Sequence, residues 1–424
     1  MRHSFTFVHA ADLHIDSPLR GLSSYEGAPV ERVRGATRRA MENLVELCVD
    51  EGAALLLLAG DLFDGDGKDY STALFFRRQM ARLAEAGVQV ALVRGNHDAQ
   101  SKMTRELRRA DNVTELPTEA PATHVYDDLA VAVHGQGFAR PAVTEDLVRD
   151  YPPRVPGALN IGLLHTCLDG REGHAPYAPT SLDELSRKGY DYWALGHVHT
   201  REVLSEDPWV LFPGNLQGRH IRETGAKGAT VVRVEGGRIV SVEHRSLDVV
   251  RWARVEVDAA GAETPEDVVE RARDALQRAI EAAEERLLAA RIEVTGRTGA
   301  HAALVGRREH WDNELRAVAV DLGADAVWVE RVKLMTRPAI DVADRLSDDD
   351  PVAQLIRGVD ALGSDDDTLR DLAAELDALR KKLPAALVDR EPTLRLDDHE
   401  ALRSHLPDVK ELLVERLLEA EVSE

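Results

Sequence analysis

The chain has 424 residues, which is too long for a single hydrophobic core and favours two or three domains. Its hydrophobic content of 44% and charged content of 30% are typical of a soluble globular protein, and its longest apolar run, residues 53–59, is far shorter than the ~20 residues that span a bilayer. The net charge of −22 argues against a protein that coats nucleic acid non-specifically, but it is compatible with a nuclease whose metal ions supply local positive potential.

The cysteine content and the N-terminus bear on the compartment. The two cysteines, Cys48 and Cys167, cannot form a disulfide framework, and the first residues lack the apolar block of a signal peptide. Cys167 follows His165 by two residues, and we interpret it as a packing residue. We therefore expect a cytoplasmic protein that does not associate with a membrane.

Residues 1–250 alternate short apolar strands with amphipathic helices. Strands are predicted at 5–11, 53–59, 88–93, 159–164 and 192–195, and helices at 31–50 and 73–86. The stretch 210–249 has the pattern of an all-β segment, with strands at 229–234 and 239–244 around the turn Gly236-Gly237. These residues are therefore predicted to form an α/β fold.

Polar motifs follow the five strands predicted first. They read, in chain order, Asp12-Leu13-His14, Gly60-Asp61-Leu62-Phe63-Asp64, Gly95-Asn96-His97-Asp98, a single His165 and Gly196-His197-Val198-His199. Asp, His and Asn bind divalent cations, and the carboxyl ends of strands are where open α/β sheets bind ligands. Ligands so dispersed can meet only if a sheet aligns the strand ends. The sequence therefore predicts a two-metal hydrolase that acts on phosphoryl groups.

Each motif taken alone has a simpler explanation. An Asp and a His after a strand suit a turn, Gly60-Asp61 and Gly95-Asn96 are ordinary turn signals, and a single His165 is more often a hydrogen-bonded core residue. His197 and His199 would point the same way from an extended backbone, which favours a shared ion only weakly. The order and spacing of the whole set favour metal binding.

The set resembles the calcineurin-like metallophosphoesterase superfamily, whose pattern is D-x-H, G-D-x-x-D, G-N-H-D/E, a later His and G-H-x-H. The resemblance covers residues 1–250 and implies a four-layer α/β/β/α metallophosphoesterase sandwich. More narrowly, the chain resembles the SbcD-type DNA repair exonucleases of the YhaO-like bacterial branch. The runs that carry this closer match are 9–18, 164–170, 190–197 and 213–220.

The resemblance implies metal ligands at seven positions. Asp12, His14 and His199 would hold one ion, Asn96, His165 and His197 a second, and Asp61 would bridge the two. Mixed Asp, Asn and His ligation suits two divalent metal ions, Mn²⁺ first, with Fe²⁺ or Zn²⁺ as alternatives. A water or hydroxide between the ions would attack phosphorus.

The same resemblance assigns His97 to the leaving group, as a general acid or a charge stabiliser, with Asp64 orienting its imidazole. Archaeal and eukaryotic repair nucleases have a His where this chain has Asp64, so the chain follows the general phosphoesterase and bacterial pattern there. Because every ligand position of the family is filled, we predict an active enzyme.

The pattern changes after residue 250. Strands are expected at 252–257, 291–294 and 326–334, and helices from Thr264 to about 290 and at 308–320. An acidic linker at 347–351 then precedes a wholly helical region. The expected domains are a catalytic domain at 1–250, a capping and DNA-positioning α/β domain at 251–337, and a helical C-terminal arm at 338–424.

The C-terminal arm contains a leucine stripe with 3-4-3-4 spacing, formed by Leu369, Leu372, Leu376, Leu379 and Leu383. One interpretation is a helical hairpin within the chain, with its second helix at about 398–419. The other is a docking surface for a partner, since SbcD-type proteins commonly work with an SMC-like ATPase of the SbcC type. A homodimer is also compatible with the sequence.

The substrate implied by the resemblance is DNA. Basic residues that could contact phosphates are Arg20, Arg94, Arg105, Arg108, Arg109, Arg219, His220 and Arg222. The run 105–109 is more simply a solvated helix face, whereas Arg219, His220 and Arg222 follow a predicted active-site loop and are the preferred substrate-binding candidates.

The sequence is compatible with two other functions. A phosphoesterase for small substrates, such as cyclic nucleotides, nucleotides or phosphoproteins, agrees with the net charge of −22 but does not need the additional domains. A non-catalytic adaptor would keep the acidic helical arm and a vestigial metal site, but it would not need His97 and Asp64.

Overall fold

The computed structural model describes residues 4–17, 29–64, 70–100, 110–168, 177–339, 351–384, 387–388 and 392–422. Within these ranges, no helix is long and apolar enough to cross a membrane. The chain divides into two compact units. The first comprises Met1–Arg254, Arg278–Arg291 and Leu322–Glu330, and the second comprises Val255–Gln277, Ile292–Asp321 and Arg331–Glu424.

Two six-stranded sheets form the centre of the first unit. Their strands are β1 Phe5–Ala10, β2 Leu55–Ala59, β3 Gln89–Val93, β4 Val113–Glu115, β5 Ala122–Tyr126, β6 Val131–Gly135, β7 Leu159–His165, β8 Tyr192–Gly196, β9 Glu202–Glu206, β10 Trp209–Phe212, β11 Gly228–Glu235 and β12 Arg238–Ser246. The first sheet has the order β12-β11-β1-β2-β3-β4, and the second has the order β5-β6-β7-β8-β10-β9.

Both sheets have a parallel centre. Strands β1 to β4 run parallel in the first sheet, and β6, β7, β8 and β10 run parallel in the second. The antiparallel strands lie at the edges, with β11 and β12 in the first sheet and β5 and β9 in the second. Within each sheet, the carboxyl ends of the parallel strands therefore share one edge.

Among the described residues up to 187, the α-helices are α1 Val30–Arg34, α2 Ala36–Asp50, α3 Tyr70–Glu85, α4 Asn96–Gln100 and α5 Leu182–Arg187. Helices α2 and α3 cover the outer face of the first sheet, and α5 covers that of the second. Leu44 of α2 and Met80 of α3 pack in the core of the first sheet, Phe7 and Ile161 fill the space between the sheets, and Leu185 of α5 packs on the second sheet. The predicted four-layer α/β/β/α arrangement is confirmed.

The sequence marks fewer strands than the structure contains. Strands β4, β5 and β9 consist mostly of half-buried residues, without an apolar run to identify them. Strand β6 is buried throughout but has only five residues. The helix predicted at 31–50 is divided at Gly35, where α1 ends and α2 begins.

The sheet that follows residue 250 has three strands in the order β13-β14-β15. They are β13 Val250–Asp258, β14 Leu287–Thr298 and β15 Val327–Pro338, and the helices between them are α6 Pro265–Ala282, α7 His301–Gly306 and α8 Arg308–Gly323. The predicted extension of the first helix to about 290 is wrong. Residues 287–290 are all fully buried, which suits a strand covered on both faces and not an amphipathic helix, and Glu284 and Glu285 have positive φ.

The C-terminal residues are helical, in α9 Pro351–Ser364, α10 Asp366–Glu375, α11 Asp377–Arg380 and α12 His399–Val422. Leu369 is fully buried against Leu396 and Leu402, with Leu376 and Leu383 packed beside them. Most of the leucine stripe therefore packs against other residues of the same chain, as expected for a helical hairpin within the chain. Leu372 and Leu379 are not part of this cluster, and Leu379 is 51% exposed.

Leu369 and Leu379 provide a matched test of the stripe. We expect Leu369→Ala to lower the free energy of unfolding of the C-terminal helices by about 2–5 kcal/mol, because it leaves a cavity in their core. Leu379→Ala should cost less than about 0.5 kcal/mol, because its side chain is largely in water. Thermal unfolding followed by circular dichroism measures both, and equal destabilisation would contradict this account of the packing.

Candidate metal centre

The predicted ligands converge at the ends of parallel strands from both sheets. Asp12 follows β1, Asp61 follows β2, Asn96 follows β3, His165 ends β7, and His197 follows β8. Strands far apart in sequence thus bring these side chains together, as the dispersal of the motifs predicts.

The backbone at these positions is strained. Four non-glycine residues have left-handed φ angles, namely Asp12 at 52°, His14 at 42°, Asp61 at 53° and His197 at 101°. Each such conformation costs about 1–3 kcal/mol and persists only where the surroundings fix it. The amide of Asp12 donates to the carbonyl oxygen of Gly60, and the amide of His14 donates to that of Asp61, both at 3.0 Å.

Asp12, His14 and His199 form the first cluster, with ligand atoms that all lie within 4.8 Å of one another. The Nδ1–H of His14 donates to Asp64 at 2.9 Å, and the Nδ1–H of His199 donates to Glu223 at 2.7 Å. The Nε2 atoms of the two rings lie 3.2 Å apart, and in the neutral rings each presents a lone pair to the other. Two facing lone pairs repel unless a cation lies between them, and two ligands of one ion at about 2.1 Å have about this separation.

Asp61, His165 and His197 form the second cluster, again with ligand atoms within 4.8 Å. The Nδ1–H of His165 donates to the carbonyl oxygen of Ala59 at 2.9 Å. Its Nε2 lone pair then faces the Oδ1 atom of Asn96 at 3.0 Å and the Oδ2 atom of Asp61 at 3.5 Å. These three atoms are acceptors, so a cation would satisfy them together.

Asp61 lies between the two clusters. Its Oδ1 atom accepts the backbone N–H of His97 at 3.0 Å. Its Oδ2 atom is 3.5 Å from the Nε2 atom of His165 and 3.9 Å from that of His14. One carboxylate oxygen therefore reaches a histidine of each cluster, which is the position expected for a bridging ligand.

The protonation states of the ligands suit metal binding. Burial lowers the pKa of His14 and of His165 to about 3, so both rings are neutral at pH 7. Burial raises the pKa of Asp61 to about 6 and, together with the nearby Asp61 charge, raises that of Asp12 well above its usual range. The raised pKa values show that burial disfavours the charged forms of both carboxylates, and divalent cations would stabilise those forms. The donor set thus fits the ions that the motifs predict.

His97 differs from the metal-ligand histidines. Its Nδ1 atom is 2.9 Å from the Oδ1 atom of Asp64, and its side chain is 40% exposed. The hydrogen bond to Asp64, with the charge of Asp61, raises the pKa of His97. Burial by itself would raise the pKa of Asp64, but hydrogen bonds from His14, His97 and Ser17 hold that pKa well below its usual range. His97 is thus an exposed, readily protonated imidazole beside the two clusters.

Asp64 has a second contact that the sequence does not reveal. Its Oδ1 atom accepts from both His14 and His97, at 2.9 Å each. The same carboxylate therefore orients a predicted metal ligand and the predicted leaving-group histidine. The Nδ1 atoms of His14 and His97 both donate to Asp64, so neither atom has a lone pair for a metal ion there. The proximity of these three residues therefore does not make a further metal site.

Sequence reasoning missed three residues that support the site. Glu223 accepts from His199, Asn215 donates to Glu223 at 3.0 Å, and Asp98 accepts the backbone N–H groups of Leu62 and Gly95 at 3.0 Å each. Asp98 was visible as the last residue of Gly95-Asn96-His97-Asp98. Glu223 has no periodic or motif signal, although it follows the quoted run 213–220 by three residues.

The candidate phosphate-binding residues differ in their surroundings. The Arg219 side chain is only 13% exposed and lies 3.0 Å from Asp64 and 2.9 Å from Glu223, so its guanidinium is in an internal ionic network. The His220 side chain is 54% exposed, and Arg222 is exposed. Arg94 pairs with Glu115 at 2.8 Å. Their roles towards substrate stay predictions, and Arg20, Arg105, Arg108 and Arg109 lie outside the described residues.

Comparisons with known proteins agree with this geometry. The family model for the calcineurin-like phosphoesterases matches residues 5–201. Residues 5–201 belong to that family. The calcineurin-like domain is followed by a match to the middle domain of metallophosphoesterase YhaO at residues 252–337. The resemblances to the superfamily and to the YhaO-like branch are thus confirmed.

Individual relatives of this chain fall into two groups. The uncharacterized metallophosphoesterase YhaO of Bacillus subtilis is 37% identical over 62% of this chain and 65% of its own length. DNA double-strand break repair proteins Mre11 are 27% identical in Methanopyrus kandleri, over 63% of this chain and 62% of theirs, and 25% identical in Sulfurisphaera tokodaii, over 49% and 55%. The chain spans less than two thirds of the length of these relatives.

One solved structure, a dimetal phosphatase from Danio rerio, aligns with 54% of this chain and 92% of its own. The sequence identity is 12% and the TM-score is 0.33. This similarity is too low to carry an argument.

Gly95 provides a steric test of the metal centre. A Cβ atom at this position would lie 2.2 Å from the Oδ1 atom of Asp61. We expect Gly95→Ala to displace that carboxylate and to weaken metal binding by about tenfold or more. Metal content after dialysis, measured by mass spectrometry, checks this. Gly358→Ala is the control because no atom lies within 4 Å of its Cβ position, and wild-type metal content in Gly95→Ala would contradict the geometry.

Proposed function

We propose that the chain hydrolyses phosphodiesters of DNA with two divalent metal ions, preferably Mn²⁺. The observation that carries this proposal is the pair of buried acceptor clusters that share Asp61 beside the exposed imidazole of His97. Asp12, His14 and His199 would hold one ion, and Asn96, His165 and His197 the other. When bound, such ions supply Lewis acidity and a nucleophilic water of lowered pKa. The mixed oxygen and nitrogen donors also accept Fe²⁺ or Zn²⁺.

His97 supplies the proton for the leaving oxygen. Its contact with Asp64 through Nδ1 leaves Nε2 as the atom that can face the substrate, and the raised pKa of the ring favours the protonated form that can donate. Asp64 fixes the orientation of the ring and stabilises its positive charge. The site therefore combines histidines of lowered pKa, His14 and His165, with a leaving-group histidine of raised pKa, His97.

DNA is the proposed substrate because of the relatives and the domain content. Relatives carry the name DNA double-strand break repair protein, and a YhaO middle domain follows the phosphoesterase domain. We propose a catalytic domain at 1–250, a DNA-positioning cap at 251–337 and a helical arm at 338–424. The exposed His220 and Arg222 are the candidates to contact backbone phosphates.

The proposed partner is an SMC-like ATPase of the SbcC type that binds the C-terminal helices in the cytoplasm. Leu379 is the member of the leucine stripe that is exposed for such a contact. The residues before it include Asp366, Asp367, Asp371 and Asp377, whereas Arg380, Lys381 and Lys382 follow it directly, so charges of both signs are expected on the partner's face.

A small-substrate phosphoesterase is the second candidate, and the net charge of −22 favours it because a polyanion would be repelled. A non-catalytic adaptor is disfavoured. It would have no use for the 2.9 Å contact between His97 and Asp64 beside the two acceptor clusters.

One assay separates these functions. Purified protein with Mn²⁺ is given labelled single- and double-stranded DNA beside bis(p-nitrophenyl) phosphate. We expect cleavage of DNA and of the diester, with a loss of about 10²-fold or more in His97→Ala, whose proton donor is missing, and in Asp61→Asn, whose bridging charge is missing. Turnover of the diester alone would favour the small-substrate function, and no turnover of either substrate with metal bound would favour the adaptor.

The Asp64 carboxylate also predicts a change in pH dependence. If protonated His97 is the acid, activity falls as pH rises through its pKa, which Asp64 raises. In Asp64→Asn the negative charge is lost, so the fall should occur at lower pH while the amide oxygen still accepts a hydrogen bond. The pH profile of kcat for the diester at saturating Mn²⁺ measures this shift. An unchanged alkaline limb would mean that His97 is not the titrating group.

A further inference from the structure

The guanidinium of Arg219 forms hydrogen bonds with two carboxylates, those of Asp64 and Glu223. One terminal nitrogen donates to the Oδ2 atom of Asp64 at 3.0 Å, and the other donates to the Oε1 atom of Glu223 at 2.9 Å. The side chain is 13% exposed, and both carboxylates are buried more deeply still. A charge buried in this way is stable only while its partners stay in place.

Each carboxylate in turn orients histidines of the site. Asp64 accepts from His14 and from His97, and Glu223 accepts from His199. His14 and His199 are the two rings of the first metal cluster. Arg219 is thus linked through one carboxylate to His14, to His199 and to the proposed proton donor, and one of its terminal nitrogens also lies 3.2 Å from the Nδ1 atom of His199.

Both carboxylate oxygens of Glu223 accept hydrogen bonds. Its Oε2 atom accepts the backbone N–H of Arg219 at 2.8 Å and the side-chain amide of Asn215 at 3.0 Å. Burial by itself would raise the pKa of Glu223, but hydrogen bonds from His199 and Arg219 hold it well below its usual range. The indole of Trp252 donates to the carbonyl oxygen of Gly218 at 3.0 Å, which fixes the loop that carries Arg219.

We propose that Arg219 is a positioning residue. Through Asp64 and Glu223 it fixes the orientation of His14 and His199 in the first metal cluster and that of His97. The proposal rests on the proposed function for the role of His97. The planar guanidinium presents separate donors to the two carboxylates at once, whereas the ammonium of a lysine is a single point charge. Groups that orient metal-ligand histidines in this way typically contribute 10–100-fold to metal affinity or activity.

The sequence alone favours Arg219 as a ligand of the substrate phosphate. The two roles predict different effects on metal binding, kcat and KM. Loss of a phosphate ligand raises KM and leaves metal binding unchanged. Loss of a positioning residue weakens metal binding in the absence of substrate and lowers kcat with little change in KM.

The test compares Arg219→Ala, Arg219→Lys and Glu223→Gln with the wild type. Mn²⁺ binding is titrated without substrate by electron paramagnetic resonance, and kcat and KM are measured with bis(p-nitrophenyl) phosphate at saturating Mn²⁺. Arg238→Ala is the matched control, since Arg238 is an exposed arginine of β12. Circular dichroism of the metal-free proteins verifies folding. Glu223→Gln keeps the size and the acceptor oxygen of the side chain, so it serves if Arg219→Ala does not fold.

We expect Arg219→Ala and Glu223→Gln to weaken Mn²⁺ binding by about 10–100-fold at one of the two sites and to lower kcat with KM within about twofold. Arg219→Lys should recover little, and the control should match the wild type. Unchanged Mn²⁺ binding in the folded variants, or a raised KM with an unchanged kcat, overturns the proposal. If the wild type turns over no phosphodiester while the variants lose Mn²⁺ affinity, the positioning of the metal cluster stands and the proposed function fails.

Discussion

The concentration of hydrogen-bond acceptors at the carboxyl ends of the parallel strands constrains the rest of the first unit. The Nε2 atoms of His14 and His199 face each other at 3.2 Å, and that of His165 faces two oxygens. Such an arrangement is unfavourable for the protein alone and favourable around cations. The left-handed backbone at four ligands and the absence of a Cβ atom at Gly95 are the local conditions that make this convergence possible.

A surrounding set of side chains determines which nitrogen of each histidine faces the site. Asp64, Glu223 and the carbonyl oxygen of Ala59 each accept an Nδ1–H, so the Nε2 atoms of His14, His199 and His165 are the ring nitrogens that face the candidate site. His97 uses the same contact with Asp64 but is more exposed and more basic. Complete burial lowers the pKa of His14 and of His165, whereas the partly exposed His97, with its hydrogen bond to Asp64, has a raised pKa.

The sequence predicts the fold and the ligands where the physical signal is local. Strand β2 is a continuous apolar run with a motif directly after it, so both the strand and Asp61 could be identified. The α6–β14 boundary could not, because the charged helical pattern passes into the apolar residues 287–290 without a proline or glycine to end it. Glu223 and Asn215 could not be identified either. Their function depends on contacts across the fold, and a single Glu or Asn in a loop has no pattern that records such contacts.

The burial of Arg219 changes where positive potential for a phosphodiester must come from. Arg219 pairs with both Asp64 and Glu223 at about 3 Å. These two negative charges cancel most of the positive potential that its guanidinium could exert on a substrate. Under the proposed function, attraction of a polyanion by a chain of net charge −22 would depend on metal ions at the two clusters, on His97 and on exposed groups such as Arg222. Substrate binding should accordingly depend on metal occupancy as strongly as catalysis does, and Arg219 belongs to the structure that maintains that occupancy.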